Sequence, residues 1–383
     1  MKKENKVFTL FEKILVAIFK IFPIKNNRIY FIANYGERYS CNPRAYFEYL
    51  YKYHRDEFDF YFCLNHPKEV ELPKGVKHHK FFSIMDFYYL YTSKYIVNNC
   101  RFHTFFQKRK KQIYIQTWHG GVTLKKIEKD APNLPWIYTR FAKNDANYID
   151  LITVGNIQSQ KLMDSCFYCK NKCVLTGTPR NDVLLNKNEH LKEKIRKKLG
   201  LNENQYIVLC APTFRNKQPL EDSMINNQVL KSSFAKITDK EIVILYRFHP
   251  NVAKKSKKLV FESGVLNVSF YPDIQDLILI SDIMISDFSS CMFDMMLTYK
   301  PCIVYTNNLK KYLNNERGLY FGIDKTPFKV ASTENELKNI IETLKEDQQN
   351  YVGRVNKFLN YIGNVENGDA CKKLYIEMKK IKR

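Results

Sequence analysis

The residues from Ile285 to Asp294, ISDFSSCMFD, place an acid (Asp287), two adjacent hydroxyls (Ser289 and Ser290) and a second acid (Asp294) where an apolar strand passes into a helix. A helix start offers unpaired backbone N–H groups and the positive end of a dipole, so hydroxyls there suit a phosphate. Ser and Asp are equally the ordinary caps of a helix, and this stretch alone supports both readings evenly. Four further polar clusters follow apolar runs: TWHGG around His119, TGTPRND around Arg180, APTFR with Thr213 and Arg215, and YRFHP with Arg247 and His249. Ligands of parallel sheets bind beyond the carboxyl ends of the strands, which puts all five clusters on the binding edges.

His119 follows the run QIYI and precedes Gly120 and Gly121, glycines that let a substrate approach the backbone closely. A neutral imidazole there can take a proton from an attacking hydroxyl. A lone histidine is more often structural, and the company of the other clusters is what favours chemistry. Arg247 and His249 lie two residues apart at the end of a strand run, which predicts one shared face. A guanidinium fork beside an imidazole donor suits a diphosphate. The competing account is a structural network in which Arg180, Arg215, Arg247 and His249 pair with acids such as Asp287. Cations after four separate strands favour the phosphate.

The elements that must position these residues alternate. Strand runs RIYFIA, DFYFCL, KYIVNN, QIYIQTW and DLITVG are separated by turns or helical segments such as NPRAYFEYLYKYH. After a charged helical segment from Leu184 to Asn202 the pattern restarts with YIVLCAPTFR, EIVILYRFHP, NVSFYP, SDIMISDFSS, which continues the apolar run LILISDIMI from Leu277 to Ile285, and PCIVYTNN. Buried strands alternating with helices predict an α/β fold of two doubly wound, Rossmann-like domains meeting at a cleft, over residues 28–183 and 184–383, with the basic segment ACKKLYIEMKKIKR as a terminal helix of the second. Residues 1–27 precede them. From Val7 to Phe22 apolar residues recur at helical spacing, interrupted by Glu12, Lys13 and Lys20, and no small-residue cleavage site follows. The stretch falls short of the roughly 20 apolar residues a membrane span needs. It fits an amphipathic helix lying in a membrane interface, helped by Lys2, Lys3, Lys6 and Lys25, and equally a helix packed on its own domain.

The chain has 383 residues and a net charge of +23, so an acidic partner is expected. Only 14 of the 62 basic residues are Arg and no nucleic-acid module is recognisable, which turns the expectation from nucleic acid towards an anionic membrane surface or a phosphorylated substrate. A Walker P-loop and a GxGxxG turn are both lacking, which disfavours a nucleoside triphosphatase and a dinucleotide oxidoreductase. Ten scattered cysteines read as reduced thiols. Cys166, Cys169 and Cys173 have near-ligand spacing but no fourth ligand nearby, so no metal site is expected.

Together TWHG, GTPRND, APTFR, RFHP, SDFSS with FD following, and RGLYF (317–321) resemble the CDP-glycerol glycerophosphotransferase family of teichoic acid synthesis, over roughly residues 28–345. The resemblance implies a GT-B-like arrangement, with the nucleotide donor bound mainly by the second domain and a polyprenyl-diphosphate-linked acceptor entering through the first. It implies His119 as general base, His249 as the histidine on the donor phosphates, and Gly120, Arg180, Thr213, Arg215, Arg247, Asp287, Ser289, Ser290 and Asp294 around the substrates, with Asp287 better suited to organising its helix start than to touching a phosphate. The implied reaction moves glycerol phosphate from CDP-glycerol to a hydroxyl and releases CMP, at the cytoplasmic face of the plasma membrane. No resident cofactor is implied, and a Mg2+ arriving with the substrate phosphates is compatible. CDP-ribitol transfer, a GT-B glycosyltransferase and a membrane-bound protein that binds an anionic polymer are the alternatives. The sequence departs from the family after His119, where WHGGVTLKK has an extra residue and lacks a proline, in a loop expected to touch donor or acceptor.

Overall fold

The computed structural model describes residues 6–132, 134–170, 172–213, 219–287, 289–306 and 318–383. Arg215 and Arg317, named above from sequence motifs, lie outside them. The chain forms two compact units, one of residues 1–121, 127–182 and 365–383, the other of residues 122–126 and 183–364.

The first unit is built on seven strands: β1 (Lys25–Ile32), β2 (Asp59–Cys63), β3 (Lys77–His79), β4 (Ser93–Asn98), β5 (Ile113–Gln116), β6 (Leu151–Val154) and β7 (Cys173–Leu175). They lie parallel in the order β3-β2-β1-β4-β5-β6-β7. Cover on both faces of the sheet explains why the buried stretches of the central strands, such as Ile29–Ile32 and Ile113–Ile115, are apolar. Along β1, Ile29 and Phe31 point into one buried layer with Phe60, Phe62 and Val97, while Tyr30 and Ile32 point into the other with Ile96, Tyr114 and Ile152.

The second unit repeats the plan with β8 (Gln205–Ala211), β9 (Glu241–Tyr246), β10 (Val265–Asn267), β11 (Ile283–Ser286), β12 (Cys302–Tyr305) and β13 (Lys329–Ala331), parallel in the order β10-β9-β8-β11-β12-β13. Both sheets therefore reverse direction beside their first strand, the switch point at which doubly wound folds bind ligands.

Three expectations are corrected. The run from Leu277 is not one strand: Ile274–Ile280 is a helix and β11 begins only at Ile283. Residues 275–280 are all buried, so no polar face marks a helical period, and the informative signal is the Asp273 carboxylate capping the helix through Gln275 N at 3.2 Å. In NVSFYP only Asn267 is strand, since the chain turns from Val268 to Tyr271. The terminal helix Ala370–Lys380 belongs to the first unit and not the second. Asp182 accepts hydrogen bonds from the N–H groups of Ala370 and Cys371 at 2.9 and 2.8 Å, and Cys371, Leu374 and Met378 are buried among Tyr46, Phe47 and Leu50.

The first helix, Lys6–Phe19, buries Leu15, Val16 and Phe19 in the first unit. Among the described residues no helix is long and apolar enough to cross a membrane.

Candidate functional site

In the first unit the chain leaves β5 at Gln116 and turns sharply, with Trp118 at a φ of 51°, a left-handed conformation that a bulky residue adopts only when its surroundings impose it. Side chains supply the constraint. Gln116 Oε1 accepts from Trp118 N at 2.9 Å, and the amide of the fully buried Asn42 donates to both Thr117 O and Trp118 O at 2.9 Å. Arg180 Nη1 donates to His119 O at 2.6 Å, while Asn156 Nδ2 and Ser159 Oγ each donate to Gly121 O at 3.1 Å. Each carbonyl from Thr117 to His119, and that of Gly121, is held by a named side chain.

His119 itself is exposed, with its ring 4.2 Å from that of Trp118. Nδ1 lies 2.9 Å from Asn99 O. A carbonyl only accepts, so Nδ1 carries the proton and Nε2 presents the lone pair, the tautomer a general base needs. A Cβ built on Gly120 meets only the Trp118 indole at an ordinary 3.7 Å, so space does not demand glycine there.

Beneath the loop lies a charged cluster that sequence reasoning missed. Arg101 is fully buried between two buried acids, with Nη1 3.0 Å from Asp145 Oδ2 and Nη2 3.4 Å from Glu128 Oε2. Tyr114 donates to Asp145 Oδ1 at 3.0 Å and accepts from Gln116 Nε2 at 2.8 Å, which joins the cluster to the residue that fixes Trp118. Burial pushes the Asp145 carboxyl up to about 6, against the opposing pull of Arg101. One cation shared by two acids leaves the pair short of neutralisation.

Arg180, expected among the cations around the donor, is instead buried in the first unit. Besides His119 O, its guanidinium meets Cys41 Sγ at 3.5 Å, and its backbone N–H donates to Asn42 Oδ1 at 3.0 Å. The preceding loop, with Gly177 at a φ of 93°, is tied by Glu366, whose carboxylate accepts from Thr178 N at 2.9 Å. A Cβ on Gly155 would stand 2.1 Å from Glu366 Oε1, so the glycine there makes room for this acid.

In the second unit the switch point between β8 and β11 holds a cavity of about 50 Å3, lined among others by Thr213, Ser286, Asp287, Tyr305 and Thr306. Asp287 accepts from Thr213 N at 2.6 Å and from Thr213 Oγ1 at 2.7 Å. Both carboxylate oxygens are therefore engaged in clamping the end of β8 to the end of β11. Thr306 Oγ1 is buried and has no hydrogen-bond partner among the described residues. Sequence reasoning passed it over because it sits in the unremarkable run YTNN.

The other expected residues divide. Ser289 and Ser290 are half-buried at the start of helix Cys291–Met296, with Ser289 Oγ 3.0 Å from Cys291 Sγ, and Ser290 makes no side-chain cap. Asp294 is buried inside that helix and does not line the cavity. The shared face expected for Arg247 and His249 does not follow, because β9 ends at Tyr246 and strand alternation stops there. Arg247 Nη1 donates to Tyr271 O at 2.7 Å, bracing the turn after β10, whereas His249 is exposed at the start of helix Pro250–Ser256. The loop after His119 meets the RGLYF segment within this unit: Lys126 N donates to Gly318 O at 2.7 Å and Tyr320 N to Leu124 O at 2.9 Å.

A family model described as CDP-glycerol:poly(glycerophosphate) glycerophosphotransferase matches residues 14–379. A teichoic acid poly(glycerol phosphate) polymerase of Bacillus spizizenii is 29% identical, over 98% of this chain and 99% of that protein. A protein of the same description from Bacillus subtilis is 27% identical over 97% of this chain, which spans about half of that protein's length (51%). The solved structure of the wall teichoic acid polymerase TagF superimposes with a TM-score of 0.85 at 24% identity, covering 99% of this chain and 98% of that one, and shares its fold.

Proposed function

The chain belongs to the CDP-glycerol:poly(glycerophosphate) glycerophosphotransferase family, and on that premise we propose that it transfers glycerol phosphate from CDP-glycerol to a hydroxyl at the end of a polyprenyl-diphosphate-linked glycan or growing teichoic acid or capsule polymer. His119 Nε2 takes the proton of the acceptor hydroxyl. The resulting oxygen forms a bond to the distal phosphorus of the donor, the bridging P–O bond to the nucleotide breaks, and CMP leaves with the bridging oxygen. The product is a phosphodiester. Phosphoryl transfer asks mainly for positioning and for charge near the phosphoryl oxygens, which suits a site of histidines and hydroxyls.

The observation that carries this reading is the anchoring of His119, whose Nδ1 proton is given to Asn99 O while the ring stays exposed. Arg180 acts on it as a positioning residue. In the second unit Thr213, Thr306 and the hydroxyls of Ser289 and Ser290 face the donor, with His249 and Arg215 on its phosphates and Asp287 holding Thr213 in place. A Mg2+ that travels with the diphosphate is compatible with this reading, and chelation during turnover tests for it.

The membrane is proposed as the second partner. Beyond the face that packs inward, the first helix and the residues after it expose Ile14, Ile18, Ile21 and Phe22, the pattern of a helix lying in an interface on the cytoplasmic side.

Purified protein given CDP-glycerol, CDP-ribitol and nucleotide sugars in parallel, with CMP release as readout, tests the donor. Turnover of CDP-glycerol alone agrees with the proposal. Preferred turnover of CDP-ribitol moves the assignment to the ribitol branch, and turnover of a nucleotide sugar alone ends it.

A further inference from the structure

We propose that Cys63, His79 and Asp86 form a zinc site in the first unit, remote in role from the transfer chemistry and independent of its assignment. Cys63 and His79 are register partners on the adjacent parallel strands β2 and β3, so their side chains leave the same face of the sheet. Asp86 comes from the first turn of the helix Ile84–Thr92 that follows. The three are 0%, 6% and 2% exposed, and one ligand atom from each lies within 4.8 Å of the other two.

His79 supplies the independent observation. Among the described residues neither of its buried ring nitrogens has a hydrogen bond; Nε2 stands 3.0 Å from Asp86 Oδ1, but that contact lacks hydrogen-bond geometry. A buried imidazole with neither nitrogen satisfied is unfavourable, and an ion on one nitrogen relieves it. The surroundings are those of a metal ligand's carboxylate: Asp86 Oδ1 accepts from Tyr30 OH at 2.7 Å and Oδ2 from Phe82 N at 2.9 Å, which fixes its orientation.

A thiolate, an imidazole and a carboxylate are the donor set of Zn2+, with bonds of about 2.0–2.3 Å in a tetrahedron. Such bonds place ligand atoms about 3.3–3.6 Å apart, so a contraction of about 1 Å closes the site. A water completes it. The burial of all three ligands rules out substrate access and makes the ion structural. It would pin the β2–β3 edge to a helix whose Tyr88 packs edge-on against Phe19 and Phe22 at 5.9 and 5.6 Å, and so brace the seat of the first helix. Cys166, Cys169 and Cys173, whose spacing suggests a ligand set, are all buried in the apolar core, and among the described residues they join no such grouping.

Full-length protein is dialysed against Zn2+ and then against metal-free buffer, and its metal content is measured by mass spectrometry. Co2+ is substituted in parallel for the absorption spectrum. The expected result is about one equivalent of Zn2+, a tetrahedral Co2+ spectrum with a thiolate charge-transfer band, retention of both in Cys169→Ser, and at least a tenfold loss of affinity in Cys63→Ser and His79→Gln. If the variants do not fold, the wild-type Co2+ spectrum decides: a thiolate band retained in Cys169→Ser supports the site. Less than about a tenth of an equivalent in wild type, a Co2+ spectrum without thiolate character, or unchanged binding in folded His79→Gln would overturn it.

Discussion

Asn42 and Arg180, 138 residues apart in sequence, meet beneath His119: Asn42 Oδ1 accepts from Arg180 N at 3.0 Å, and between them the two side chains hold the carbonyls of Thr117, Trp118 and His119. The loop that carries His119 is thereby fixed by two buried side chains. In Asn42→Ala, the Thr117 carbonyl and the Arg180 N–H lose this partner inside a buried site, and the Trp118 carbonyl keeps only the longer bond from Thr117 Oγ1, at 3.3 Å. Stability should fall by about 1–3 kcal/mol and kcat at least tenfold, with the KM for CDP-glycerol little changed. Urea unfolding and steady-state kinetics on the same preparation check both, and an unchanged kcat would speak against a positioning role.

That relationship also shows where sequence reading stops. The parallel α/β plan was legible because a strand stretch covered on both faces, such as IYFI (29–32), has to be apolar throughout, and His119 drew notice because His-Gly-Gly after a strand is an unusual combination. Asn42 was not, since it opens an ordinary amphipathic helix and meets its partners only through the tertiary fold. Arg101, a lone cation after β4, gave no hint of Asp145 and Glu128. The edge strands β3 and β13, three residues each, are too short to show a period. Nor did the sequence show that Arg180 holds the His119 carbonyl, because a motif arginine after a strand looks the same whether it faces a phosphate or a carbonyl.

Thr306→Val separates stability from binding. Its hydroxyl is buried with no partner among the described residues, so removing it should leave stability unchanged or raise it by up to about 1 kcal/mol. If the donor supplies the missing partner, calorimetry with CDP-glycerol should show binding weakened about 5- to 10-fold. Undiminished affinity would place the donor elsewhere.

Asp145 predicts a signature in pH. Its carboxyl is raised from 3.8 to about 6, chiefly by burial. Between those values the folded chain holds a proton that the unfolded chain has released. Its contribution to stability is therefore complete below about pH 4 and is lost as the pH climbs through 6, with a ceiling of about 3 kcal/mol. The stability difference between wild type and Asp145→Asn should drift across pH 4 to 7 in urea titrations. A constant difference would contradict the raised carboxyl.

Deleting residues 1–24 tests the membrane reading. Binding to anionic liposomes should weaken and, since the helix is partly packed inward, the melting temperature should drop by a few degrees. Activity on a lipid-linked acceptor should fall further than activity on a soluble analogue. Equal losses on both acceptors with unchanged liposome binding would leave the helix a purely structural element.

The central claim is that the acceptor oxygen attacks the distal phosphorus of the donor with His119 as base. CDP-glycerol carrying 32P in the phosphate next to glycerol, incubated with enzyme and a lipid-linked acceptor, reports which bond breaks. The account predicts that the label moves into the polymer, that the released nucleotide is unlabelled CMP, and that His119→Gln slows this transfer at least 100-fold while still binding the donor. Label left on released CDP, or full transfer by His119→Gln, would contradict it.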